Sequence, residues 1–169
     1  VSSAGDVNGD GFSDIIIGAR YADPDGNSGA GESYVVFGKD SGFSSSLDLS
    51  SLDGSNGFRL DGVDSYDYSG QSVSSAGDVN GDGFSDIIIG AYGADPDGNS
   101  YAGESYVVFG KSSGWSSDLD LSSLDGSTGF RLDGVDVWDN SGWSVSSAGD
   151  VNGDGYDDVI IGAYGAGPD

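Results

Sequence analysis

No cysteine and no histidine occur in the 169 residues. Without Cys there is no disulfide framework, no thiolate-bound zinc and no thiol nucleophile. Without His there is no Ser-His-Asp catalysis, no imidazole-bound metal and no imidazole acid–base work. Basic residues number 5 against 29 acidic ones, for a formal charge of −24. Phosphate contacts need a basic footprint, which argues against nucleic acid as a partner. An anionic membrane surface is disfavoured on the same ground. No apolar run approaches the ~18 residues of a membrane span, so membrane insertion is not expected. Methionine is absent as well, and the sequence reads as a processed chain or an excised piece.

What is abundant points to turns and strands. Of the acids, 27 are Asp and only Glu32 and Glu104 are Glu. Asp favours turns and Glu favours helix interiors. The 32 glycines disfavour helices further, since each costs about 1 kcal/mol there relative to Ala. Acidity with much Gly and Ser is compatible with disorder, but 36% hydrophobic and 11% aromatic residues, set in ordered clusters, favour a folded protein.

Internal repetition organises the chain. Residues 1–72 align with 73–144 without a gap and 61 of 72 positions are identical; a third, partial copy covers 145–169. Such periodicity marks stacked units that bury their apolar faces on each other. Each full repeat reads as four strands, here quoted from the second copy: "SVSSAG" (72–77), "DIIIGA" (86–91), "ESYVVFG" (104–110) and "GFRLDG" (129–134). The second is a β-branched run suited to burial on both faces. The fourth alternates Phe130 and Leu132 with Arg131 and Asp133 and is expected to be outermost. The leucines of 45–55 allow one helical turn, and no other helix is expected. The predicted fold is all-β, with four-stranded antiparallel β-propeller blades. Two blades and a half blade account for ten strands. A β-solenoid is the rival, although its coils are usually shorter.

Between the first and second strands of each copy lies a nine-residue acidic loop, "DVNGDGFSD" at 6–14 and 78–86 and "DVNGDGYDD" at 150–158. Oxygen side chains occupy positions one, three, five and nine: Asp6, Asn8, Asp10 and Asp14; Asp78, Asn80, Asp82 and Asp86; Asp150, Asn152, Asp154 and Asp158. Glycine at position six permits a turn that brings in the backbone carbonyl of position seven: Phe12, Phe84 or Tyr156. This hard, all-oxygen set suits Ca²⁺, which takes six to eight oxygens and tolerates irregular geometry, better than Mg²⁺. A plain hairpin turn is the alternative, because Asn-Gly and Asp-Gly favour hairpins. A turn needs one such pair, however, not four alternating oxygens in three copies. An EF-hand or dockerin loop would need an acid at position twelve, where Ile17, Ile89 and Ile161 stand.

The acidic loop, the "IIIGA" after it and the "YVVFGK" strand resemble the FG-GAP repeats of integrin α-subunit propellers, particularly those of bacterial integrin-α-like surface proteins. The resemblance covers essentially the whole chain. It implies that the loop joins the two inner strands of a blade and binds Ca²⁺ through the residues just named, on the face opposite the main ligand surface. The name-giving residues depart from the pattern: Ser69 and Ser141 stand for the Phe, and Arg20, Tyr92 and Tyr164 for the Pro.

Weaker features remain. Asp95, Asp97 and Asn99 of "ADPDGNSYAGE" (94–104) alternate like ligands, but a solvated Pro-Gly turn explains them too. The connections 61–71 and 133–143 differ where the repeats are otherwise alike: Tyr66 becomes Trp138, Tyr68 becomes Asn140 and Gln71 becomes Trp143. These aromatics suit blade-to-blade packing or a ligand face. The expected function is a Ca²⁺-stabilised extracellular adhesion or interaction module, recognising a protein or glycan, self-associating or belonging to a longer propeller chain. A lectin-like propeller attached to a carbohydrate-active protein is the alternative. An enzyme is not expected, since near-identical repeats do not resemble one asymmetric active site. Acidity and the lack of Cys point to a secreted or cell-surface, bacterial setting.

Overall fold

The computed structural model describes residues 1–167. Strands β1 (Ser2–Gly5), β2 (Asp14–Ala19), β3 (Glu32–Val36) and β4 (Gly57–Asp61) form one antiparallel meander. β5 (Ser72–Gly77), β6 (Asp86–Ala91), β7 (Glu104–Val108) and, after the short β8 (Asp118–Asp120), β9 (Gly129–Asp133) form the second. β10 (Ser141–Gly149) and β11 (Asp158–Ala163) make a two-stranded third sheet. These are propeller blades stacked face to face: β5 packs on β1 and β2, and β10 packs on β5, β6 and β7.

The stacking explains the isoleucine runs. A strand alternates its side chains between two faces. Ile87 and Ile89 therefore join the core shared with the first blade, with Ile16, Phe58 and Leu60, while Ile88 turns to the core shared with Val145 and Ile161. In the second blade β6 is buried at every position. The equivalent Ile15 is 45% exposed and Ile160 60% exposed, because each faces away from the single blade beside it.

Two expectations are corrected. The fourth strand is outermost in the second blade but not in the first, where β8 pairs in parallel with β4 (Arg59↔Asp118, Leu60↔Leu119, Asp61↔Asp120). The described strands therefore number eleven, not ten. β8 belongs to the second repeat and clamps the blade before it. Trp115, just upstream, stacks on Phe58 with ring centroids 4.1 Å apart. The expected helical turn is present at Leu49–Ser51 and Leu121–Ser123, but similar 3-10 turns also form at Pro24–Gly26 and Pro96–Gly98. There proline presets the first residue's φ.

Candidate metal centre

Each acidic loop links the first and second strands of its blade, as the sequence predicts. Its side chains fold the backbone into successive turns. In the first loop Asp6 accepts from the amides of Asp10 (3.1 Å) and Gly11 (2.9 Å). Asn8 Oδ1 also accepts from Asp10 (2.9 Å), and Asp10 Oδ1 accepts from Phe12 (2.9 Å). Asp6 and Asn8 thus converge on one amide. Asn8 Nδ2 donates to Asp10 Oδ2 (3.0 Å), which brings positions three and five together. Glycine at position six has φ of +89°, +90° and +92° in the three loops, a left-handed conformation that a side chain would strain.

The other two copies repeat this pattern. Asp78 accepts from Gly81, Asp82 and Gly83, Asn80 from Asp82, and Asp82 from Phe84. Asp150 accepts from Gly153, Asp154 and Gly155, Asn152 from Asp154, and Asp154 from Tyr156. These amide bonds, that of Gly155 foremost, lower the Asp150 carboxyl below its ordinary value.

Position nine is different. Asp14 and Asp86 are buried, and both of their oxygens hold backbone amides. Asp14 accepts from Val7 and Gly38, each at 2.8 Å. Asp86 accepts from Val79 (2.9 Å) and Gly110 (2.8 Å). Asp158 accepts from Val151 at 2.9 Å. Burial pushes the Asp14 carboxyl up, against the pull of its two amide bonds, and Asp10 and Asp6 add to the rise. The same causes push Asp86 up to about 6, with Asp82 and Asp78 as the neighbouring charges. The position-nine carboxylate is thus first a brace between the loop and the end of the third strand.

Among the described residues no three acidic side chains gather closely enough to cage an ion by themselves. The chemistry of the loop nonetheless fits a hard divalent cation. All its side-chain donors are oxygens, and the carbonyls of Phe12, Phe84 and Tyr156 accept no hydrogen bond among the described residues. The ion pairs among those residues, Arg59–Asp61, Arg131–Glu104 and Arg131–Asp133, leave the loop carboxylates without a cationic side chain.

Sequence reasoning missed position eight. Ser85 Oγ accepts from the amide of Asp6 (3.1 Å), and the Ser85 amide donates back to the Asp6 carbonyl (3.0 Å). Asp157 does the same for Asp78, at 2.8 and 3.0 Å. The partners lie 79 residues apart, so no local spacing announces them. A polar residue at this position in every copy was the available hint.

The opposite ends of the blades carry the aromatic connections. Tyr21, Tyr68, Tyr92, Trp143 and Tyr164 form an unbroken row across the three sheets, with successive centroids 5.8, 5.4, 4.6 and 4.8 Å apart. Tyr92 and Tyr164 occupy the positions expected to hold Pro, so aromatic stacking supplies the contact between blades there. Asp23 and Asp95 accept amides within their own turns, from Gly29 and Tyr101, and Asn99 Nδ2 donates to Val135. Those bonds account for the turns. Beside them Asp64, Asp67, Asp95, Asp97 and Glu104 line a cleft of about 420 Å³ together with Arg131. Burial pushes Asp67 up to about 7.

Comparison with known proteins agrees with these features. A model of the FG-GAP repeat matches residues 1–36, 69–108 and 141–169. Phosphatidylinositol-glycan-specific phospholipase D of Bos taurus is 31% identical over 161 residues, covering 95% of this chain and 18% of that protein. Integrin alpha-4 of Xenopus laevis is 30% identical over 162 residues, covering 95% of this chain and 14% of that protein. Integrin alpha-V of Gallus gallus is 28% identical over 165 residues, with the same two coverages. The chain thus spans less than a fifth of the length of these relatives.

Proposed function

The chain belongs to the FG-GAP repeat family, and from that membership we propose that it is a calcium-stabilised, non-catalytic interaction module that works outside the cell. The observation that carries the reading is the thrice-repeated loop, an all-oxygen set of side chains that forms no ion pair among the described residues. Asp6, Asn8, Asp10, Asp14 and the Phe12 carbonyl would hold one ion. Asp78, Asn80, Asp82, Asp86 and the Phe84 carbonyl would hold the second, and Asp150, Asn152, Asp154, Asp158 and the Tyr156 carbonyl the third. A bound Ca²⁺ supplies positive charge and holds the loop together. The chain's own part is to present the oxygens and keep the blade rigid.

The phospholipase relatives are enzymes by name, but the aligned stretch is 18% of the Bos taurus protein, and the repeats here offer no asymmetric catalytic group. The integrin relatives favour a protein partner. The aromatic row favours a second reading, a glycan-binding module, since saccharides stack on exposed rings. A glycan array run beside a screen of extracellular proteins separates the two. The exposed Ile15 and Ile160 faces would be covered by further repeats or by a second copy, which light scattering would reveal. The lack of Cys suits a bacterial source.

The calcium reading is tested by melting the chain in excess Ca²⁺ and in EDTA. At a hundredfold excess over Kd each filled loop adds about 2.7 kcal/mol. For a chain of this size that raises Tm by about 5–10 °C per loop. Identical melting in the two buffers would refute it.

A further inference from the structure

We propose that neighbouring acidic loops are coupled, so that cation binding in one strengthens binding in the next, through positions seven and eight. The inference rests on the calcium reading above and goes beyond it by making the three loops one linked array.

Two contacts recur at both junctions, a ring over a glycine and a position-eight bracket. The Phe84 ring lies over Gly9 of the preceding loop, where a Cβ would come within 2.3 Å of it; Tyr156 lies over Gly81 in the same way, at 2.4 Å. Ser85 brackets Asp6, one hydrogen bond to its amide and one from its own amide to the Asp6 carbonyl; Asp157 brackets Asp78 identically. Lys111, from the end of the second blade's third strand, donates its amide to the Val7 carbonyl (3.0 Å). The backbone of position one, whose carboxylate collects two or three amides of its own loop, is therefore held by the following repeat.

Position seven has two tasks. Its carbonyl, which accepts no hydrogen bond among the described residues, would serve its own loop's ion, and its ring covers the neighbouring loop. An ion in the second loop restrains residues 82–86, hence Phe84 and Ser85, hence the backbone of Asp6 before the first loop binds. The ordering cost of the first loop is then already met in part, and linkage requires the effect to be reciprocal. Ser85 and Asp157 are positioning residues in this scheme, acting through Asp6 and Asp78.

The test is a Ca²⁺ titration of the 169-residue chain followed by NMR. The amides of Gly9 and Gly11 report the first loop, Gly81 and Gly83 the second, and Gly153 and Gly155 the third. Asp82→Ala disables the second loop at an exposed side chain; Asp82→Asn does so more gently, keeping an acceptor for the Phe84 amide. Either change should raise the first loop's midpoint about fivefold or more, the lower end of usual coupling strengths. In a Phe84→Ala/Ser85→Ala background, which keeps every ligand, the same Asp82 change should move that midpoint less than about twofold, because the ring contact and the Ser85 hydroxyl bond are gone and only the charge effect and the Ser85 amide bond to the Asp6 carbonyl survive. An unmoved midpoint with Asp82→Ala, or an equal shift in both backgrounds, overturns the coupling while the calcium reading stands. If no loop glycine responds to Ca²⁺ in the unaltered chain, both fall together.

Discussion

Trp115→Ala tests whether the second repeat clamps the first. The indole stacks on Phe58 at 4.1 Å and 12°, lies 6.2 Å from Phe37, donates Nε1–H to the Lys111 carbonyl at 3.0 Å, and has the Lys111 ammonium 4.6 Å above its ring. Truncating a fully buried Trp costs about 3–5 kcal/mol. This ring is half-buried, so its packing contributes about 2 kcal/mol, to which the stack and the cation–π contact add about 1 kcal/mol. A loss of about 3 kcal/mol lowers Tm by about 6–12 °C in a chain of this length. Urea unfolding should show a lower midpoint with an unchanged slope, which locates the effect in the folded state. Trp115→Phe should recover most of the loss. The control is Phe43, which holds the same place in the first repeat but is 56% exposed; Phe43→Ala should cost less than about 0.5 kcal/mol. Equal effects of Trp115→Ala and Phe43→Ala, or a Trp115→Ala loss below about 0.5 kcal/mol, would refute the clamp.

Two further predictions follow from burial. Asp67 is 6% exposed and its carboxyl is pushed up to about 7, above the unfolded value near 4, by burial first and then by Glu104, Asp64 and Asp95. The folded state therefore binds the extra proton, and stability should fall as pH rises from 4 to 7 and then level off. Asp67→Asn should flatten that decline and stabilise the chain at pH 8 by up to about 4 kcal/mol; urea melts of both proteins from pH 4 to 8 check it, and parallel curves would contradict it. Ile88→Ala should cost about 2–5 kcal/mol and Ile160→Ala less than about 0.5 kcal/mol. Comparable losses in chemical denaturation would show that the blades do not stack as described.

The period, the strand order within a repeat and the place of each acidic loop between the first two strands were legible in the sequence, because each depends on spacing within one repeat. What near-identical repeats cannot encode locally is which neighbours they meet. "SLD" at 46–48 and "DLD" at 118–120 are almost the same tripeptide, yet only the second is a strand, since only it lies along the open edge of β4. A strand takes its hydrogen-bond partners from distant segments, so its existence is decided by the fold. Ile16, Ile88 and Ile160 are the same residue at the same repeat position, buried twice and exposed once according to whether a following blade covers them. Ser85 and Asp157 gain their roles only when stacking brings position eight of one loop against position one of the loop before. The acidic loop itself needs nothing so remote: its turns close through side chains two to five residues from the amides they hold.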